Sequence, residues 1–228
     1  MVEVFALNIT DTSRLDQMSY LLAPEKQLRL EKIKDPVSAR QVLSSDLLAR
    51  AVVCDKLGWR NNEIEFCYND YGKPSLLHKK DFHFNLSHSG NWVVMAISTY
   101  EVGIDIEQIV PLDLSIAEHF FSSYENRYLN SLPPALQLDG FFRIWTLKES
   151  YIKMTGQGLS ADLTSFSVQL EGKTGYPQLL TDKPNKFYFR NYALHDNYKL
   201  AVCAREKSFA PHINIINSEN LIRMFIFS

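Results

Sequence analysis

The stretch Val102-Gly-Ile-Asp-Ile-Glu107 decides how this chain is read. Ile104 and Ile106 flank Asp105, an alternation with the period of two that a strand requires. Asp105 and Glu107 therefore share one face while the isoleucines anchor the other in a core. A second stretch, Trp145-Thr-Leu-Lys-Glu-Ser-Tyr-Ile-Lys153, carries the other period. On a helix Trp145, Glu149 and Lys153 fall at i, i+4 and i+8 and stack along one side, with Lys148 beside the row. Two carboxylates on a strand and a third on a helix are hard oxygen ligands that suit Mg²⁺, which takes a few protein oxygens and leaves its other positions to water and phosphate. Each pattern alone is also that of a solvated face. The isoleucines set Asp105 apart, because they place its charge on a well-supported platform.

Around these stretches the chain reads as two α+β halves. Residues 2–9 alternate as a strand, and Pro24 opens a basic helix that Asp35-Pro36 interrupts. A second helix spans about 38–57, with Leu43, Leu47 and Ala51 in one stripe and Gly58 as its cap. Strands follow over 63–68 and 82–86 with a turn at 70–74, and Ser87-His-Ser-Gly-Asn91 reads as a hairpin tip before a strand over 92–98. The second half repeats this order with a helix over about 138–155, strands over 165–170 and 186–192, a turn at 195–197 and a closing strand. The closing strands read alike, Asn91-Trp-Val-Val-Met-Ala-Ile-Ser98 against Asn197-Tyr-Lys-Leu-Ala-Val-Cys-Ala204. The expectation is a weak internal duplication, residues 1–101 and 102–228, with Asp105 and Glu107 at the seam where ligand clefts form. The tail after Arg205 falls in the second part by position, and its apolar end is free to cross to the first.

The 228 residues are 46% hydrophobic and 12% aromatic, ample for a core. A net charge of -2 lacks the basic field that a nucleic-acid backbone requires. Cys54, Cys67 and Cys203 are odd in number with no Cys-x-x-Cys, so neither a disulfide framework nor a zinc site is expected, and a reducing cytoplasm fits. No basic leader and no apolar run of about 18 residues occurs, which points to a soluble chain without a membrane partner. No Gly-x4-Gly-Lys-Ser/Thr loop is present, excluding nucleotide triphosphate hydrolysis on that scaffold. No Gly-x-Ser-x-Gly elbow appears, so the nucleophile is expected from a substrate. Three basic elements could meet an anion: Lys26 with Arg29 on one helix face, Lys73 in the Tyr-Gly-Lys-Pro turn, and Ser87-His88 at the hairpin tip.

Four motifs in order, Phe84-Asn-Leu-Ser-His-Ser-Gly90, Gly103-Ile-Asp-Ile-Glu107, His119-Phe-Phe-Ser122 and Trp145-Thr-Leu-Lys-Glu-Ser-Tyr-Ile-Lys153, resemble those of the 4′-phosphopantetheinyl transferases. The likeness runs from about Pro24 to Ala204 and is closest to the monomeric, two-subdomain, surfactin-synthetase-activating type found with peptide synthetases. It implies an α+β fold of two similar subdomains related by pseudo-twofold symmetry, with the active site at their interface. It also implies transfer of the phosphopantetheine arm of coenzyme A to a serine of an apo peptidyl, acyl or polyketide carrier protein. Asp105, Glu107 and Glu149 would hold Mg²⁺, Glu149 would serve as base, and Lys153 and Lys148 would grip phosphate. Lys26, Arg29, Arg40, Lys73, Ser87 and His88, with Lys148 and Lys153, would contact coenzyme A. Glu125 matches an acidic position near the metal. Departures occur at Gln41 and Val42, beside Arg40. The aromatics of 111–131 would double as helix core and as a docking face for a carrier helix. Two competing readings use the same residues, a metal-dependent nucleotide pyrophosphate hydrolase and a non-catalytic coenzyme A or carrier-binding module.

Overall fold

The computed structural model describes residues 1–10, 14–158, 161–170, 176–180 and 187–226. Its strands are β1 (Val2–Asn8), β2 (Phe66–Tyr68), β3 (Pro74–Leu76), β4 (His83–Ser89), β5 (Trp92–Ser98), β6 (Val102–Gln108), β7 (Ser167–Gln169), β8 (Gln178–Leu180), β9 (Tyr188–Tyr192), β10 (Tyr198–Ala204) and β11 (Phe209–Ile216). Its α-helices are α1 (Pro24–Glu31), α2 (Pro36–Leu57), α3 (Ala117–Phe120), α4 (Ser123–Ser131), α5 (Pro134–Thr155) and α6 (Ser218–Ile226).

Strand alternation sorts the apolar side chains into three cores. One sheet has the order β11-β1-β5-β4 and another β6-β10-β9. Val4, Ala6, Val94 and Ala96 of the first meet Ile104, Ile106, Leu200 and Val202 of the second, so the two sheets lie face to face over a shared interior. The opposite faces turn outward: Phe5, Leu7, Val93 and Met95 pack under Leu47, Leu48 and Val52 of α2, and Ala201 and Cys203 pack under Ile144 and Leu147 of α5. The result is helix, sheet, sheet, helix.

The expected duplication is visible in the elements. Helices α2 and α5 are both 22 residues long, and each ends at a left-handed glycine, Gly58 (φ 66°) and Gly156 (φ 72°), where a side chain would be strained. Each is followed by an antiparallel hairpin, β4-β5 or β9-β10. The tail departs from this repetition. Strand β11 runs parallel to β1, and Ile216 and Leu221 enter the core under α2, so the chain's last described segment lies on the N-terminal half.

The hairpin tip is shorter than expected. Ser87, His88 and Ser89 belong to β4, and only Gly90 (φ 52°) and Asn91 turn. A Cβ at Gly90 would strain the left-handed backbone and push aside the ends of the Gln108 and Tyr198 side chains. The strand over 63–68 is likewise short, with a 3₁₀ turn at Asn61–Glu63 before β2.

Candidate active site

Strands β4 and β6 are the facing edges of two different sheets, and side chains join them instead of a backbone ladder. Asn85 Oδ1 accepts from the Ile104 amide at 2.9 Å, Ser87 Oγ from Ile106 at 3.3 Å, and Ser89 Oγ from Gln108 at 3.0 Å. Alternate residues of β4 thus meet alternate amides of β6, and the edge donors are satisfied across the seam. The two serines also donate onward, Ser87 to Asp105 Oδ1 at 3.0 Å and Ser89 to Glu107 Oε2 at 2.9 Å. On the far side of the molecule β9 repeats the device with donors: Arg190 reaches the Phe209 and Pro211 carbonyls of β11, and Tyr192 Oη reaches Ala210 O at 2.8 Å. Pairing in the two hairpins makes Arg190 the counterpart of Asn85 and Tyr192 that of Ser87.

Helix α5 descends onto the other face of the carboxylates. Gly103 permits this, because a Cβ there would strike Ser150 O and the Met154 backbone. The close approach lays Glu149 and Lys153 over β6. Asp105, Glu107, Trp145, Glu149, Lys153, Leu86, Ser87 and His88 together line a cavity of about 320 Å³. All three members of the i, i+4, i+8 row on α5 face it, as the spacing predicts.

Its electrostatics are lopsided. Asp105 is 2% exposed and Glu149 8%, and the nearest cation, Lys153 Nζ, lies 2.6 Å from Asp105 Oδ1 and 2.9 Å from Ser87 Oγ. Burial raises the Asp105 pKa above the usual carboxylate range against the pull of Lys153. Burial and then the Asp105 charge raise Glu149 as well, and bring Glu107 up to about 7. One ammonium faces three acids. Two of their oxygens, Asp105 Oδ2 and Glu149 Oε1, are buried with no hydrogen-bond partner. Orphaned acceptors of this kind are costly unless a cation or water meets them. The oxygen-only donor set fits a hard divalent cation. No three His, Cys, Asp or Glu residues stand at ligating distance among the described residues, so the side chains would have to close around such an ion.

The family model of the 4′-phosphopantetheinyl transferase superfamily matches residues 101–203, and that of the 4′-phosphopantetheinyl transferase N-terminal region matches 10–100. The 4′-phosphopantetheinyl transferase psf-1 of Bacillus pumilus is 37% identical over 209 residues, covering 92% of this chain and 90% of the relative. The chain belongs to the 4′-phosphopantetheinyl transferase superfamily. Sfp of Bacillus subtilis (strain 168) is also 37% identical, over 90% of this chain and 91% of its own. The gsp transferase of Aneurinibacillus migulanus is 35% identical over 100% of this chain and 95% of its own.

Within this superfamily member several expected site residues stand elsewhere. Lys148 is fully buried, with Nζ 2.8 and 2.7 Å from the two oxygens of Glu125 and 2.7 Å from Phe166 O. Those three acceptors use all three of its N–H donors, and the 100° step from Glu149 turns it away from the cavity. Glu125 is equally committed. It caps α4 through the Ser122 amide and hydroxyl, accepts from Val168 N at 2.7 Å, and does not line the acid cavity. Lys73 Nζ donates to Val102 O and Met154 O, both at 3.0 Å, which pins the start of β6 to the end of α5. Burial lowers its pKa to about 8. Lys26 sits 3.7 Å from Asp46 Oδ2 and 5.1 Å above the Tyr68 ring. Arg29 and Arg40 make no ion pair among the described residues, and Lys26, Arg29, Arg40 and Lys73 all lie outside the cavity lining. His88 does line it. Partial burial and then the Lys153 charge lower the His88 pKa, favouring neutral imidazole. Ser89 and Asn85 are the residues that sequence reasoning missed. Their signal is the period-two run Asn85-x-Ser87-x-Ser89, which matches the period of the facing strand.

Proposed function

We propose that this chain transfers the 4′-phosphopantetheine arm of coenzyme A to a serine hydroxyl of an apo carrier protein and releases adenosine 3′,5′-bisphosphate. The observation that carries the reading is the convergence of Asp105, Glu107, Glu149 and Lys153 in one seam cavity with unpartnered carboxylate oxygens. The names of the relatives support the same chemistry. Asp105, Glu107 and Glu149 would hold Mg²⁺, which when bound supplies charge neutralisation to the pyrophosphate.

The remaining chemistry belongs to the chain. The carrier hydroxyl attacks the phosphorus that bears the pantetheine arm; its oxygen forms the new P–O bond, and the bridging P–O bond to the adenylate side breaks. Glu149, directly or through a water, takes the hydroxyl proton, a form of help commonly worth about 10²–10⁴ in rate. In the metal-free chain burial and then the Asp105 charge raise its pKa. Lys153 exchanges its contact with Asp105 for the phosphoryl oxygens as their charge grows. His88 at the cavity edge, with Lys26, Arg29 and Arg40 on the N-terminal half, forms the basic surface proposed for the 3′-phosphate and ribose.

The aromatic segment before α5 divides its labour. Phe121 and Leu129 are core, and Phe120 meets Trp145 edge to face at 5.5 Å. Ile116 and Tyr124 are 38% and 37% exposed and are proposed to meet the carrier. One chain carries every group invoked, so the proposed working form is a monomer, acting in the reducing cytoplasm that suits an odd number of cysteines with no Cys-x-x-Cys spacing. No described helix is long and apolar enough to cross a membrane.

Incubation with coenzyme A, Mg²⁺ and an apo peptidyl carrier is expected to add one phosphopantetheine to the carrier, read by intact-protein mass. If no carrier in a panel of peptidyl, acyl and polyketide types gains it, the proposal falls. Release of adenosine bisphosphate at a comparable rate without any carrier would put a pyrophosphate hydrolase in its place.

A further inference from the structure

The seam serines are not interchangeable links between sheets, because each touches one acid and the amide that follows it. Ser87 meets Asp105 and the amide of Ile106; Ser89 meets Glu107 and the amide of Gln108. A serine hydroxyl has one proton to give. The Gln108 N–H cannot accept it and instead occupies a lone pair of Ser89 Oγ, so the single O–H is directed at Glu107 Oε2. Glu107, which lines the cavity, is thus held by one of its two oxygens. Asp105 has two further restraints, Lys153 and deep burial. Ser89 is the one side-chain hydrogen bond to Glu107 among the described residues.

We propose that Ser89 is a positioning residue for the divalent-cation site, aiming Glu107 from across the seam while its backbone bond keeps β4 in register with β6. The proposal rests on the reading that Asp105, Glu107 and Glu149 hold a divalent cation. It predicts that metal affinity, rather than the chemical step at saturating metal, depends on Ser89, because the hydroxyl touches a ligand and not the reacting atoms. Outer partners that hydrogen-bond a metal's carboxylates typically contribute 10–100-fold in affinity. A purely structural seam role would instead lower stability and turnover together.

The test is direct Mn²⁺ binding by the full chain, measured by electron paramagnetic resonance without substrates, beside the Mg²⁺ dependence of transfer. Ser89→Ala is expected to weaken Mn²⁺ and raise the Mg²⁺ requirement by about 10-fold or more, with kcat at saturating Mg²⁺ changed less than about threefold. Ser89→Thr, which keeps the hydroxyl, is expected to restore Mn²⁺ affinity to within about threefold of the parent. In a Glu107→Gln background Ser89→Ala should add little, because the ligand it aims has already lost its charge. Unchanged Mn²⁺ affinity in Ser89→Ala overturns the proposal, and so does an equal loss in the Glu107→Gln background. If the parent chain binds no Mn²⁺, the metal reading itself falls and takes this proposal with it, whereas parent binding that ignores Ser89 removes this proposal alone.

Discussion

Lys148 and Glu149 are neighbours on α5 that serve separate assemblies: Lys148 Nζ lies 2.7 Å from Glu125 inside the C-terminal core, while Glu149 lines the seam cavity with an unpartnered oxygen. One helical step separates a charge paired inside the core from one that lines the cavity. The pair Lys148–Glu125 also receives Ser122, Val168 and Phe166, so α4, α5 and β7 are joined at one point.

Removing one partner of that pair strands a buried charge. Lys148→Met and Glu125→Leu singly should each cost about 3–5 kcal/mol in urea unfolding, whereas the double apolar variant should recover much of the loss. A Lys148→Met variant with full stability and abolished turnover would return Lys148 to the phosphate site.

Glu149→Gln should behave in the opposite way. Turnover should fall by about 10²–10⁴, while the unfolding midpoint stays level or rises, because a carboxylate crowded by Asp105 loses its charge. Circular dichroism and the carrier mass assay read the two effects separately.

Lys153→Met removes the only cation in contact with Asp105 among the described residues. Transfer should drop by about 10²–10³ at saturating coenzyme A, the scale set by deleting one preorganised electrostatic contact. A loss confined to the KM for coenzyme A would reduce Lys153 to a binding group.

The acid cluster also sets a pH dependence. Glu107 rises from 4.5 to about 7 in the fold, and Asp105 and Glu149 move in the same direction. A carboxyl with a higher folded pKa binds its proton more tightly when folded, so its stabilising contribution is complete below 4.5 and is lost as pH rises through about 7. Metal-free protein should therefore melt lower at about pH 8 than at about pH 5, Mg²⁺ should restore the difference mainly at the higher pH, and Glu107→Gln should flatten the slope. Scanning calorimetry with and without chelator reads all three.

Local periodicity made the elements of the candidate site legible. The alternation at Ile104 and Ile106 placed Asp105 and Glu107 on one face, and the four-residue spacing placed Trp145, Glu149 and Lys153 on one side of α5; all five line the cavity. What stayed hidden depends on partners distant in the chain. Lys148 lies beside the row in any helical projection, and only Glu125, 23 residues away, shows that it turns inward. Ser87-His-Ser reads as a turn because its residues favour turns, yet the β6 amides give both hydroxyls a strand role. Pairing of β11 with β1 joins the two ends of the chain, and no local pattern reports it.

The position of a bound divalent cation separates this mechanism from its alternatives. Crystals of the chain with coenzyme A and Mn²⁺, measured at an anomalous wavelength, should show one ion contacted by the carboxylates of Asp105, Glu107 and Glu149, with Lys153 displaced toward phosphate. An anomalous peak elsewhere, with Lys153 still paired to Asp105, would contradict it.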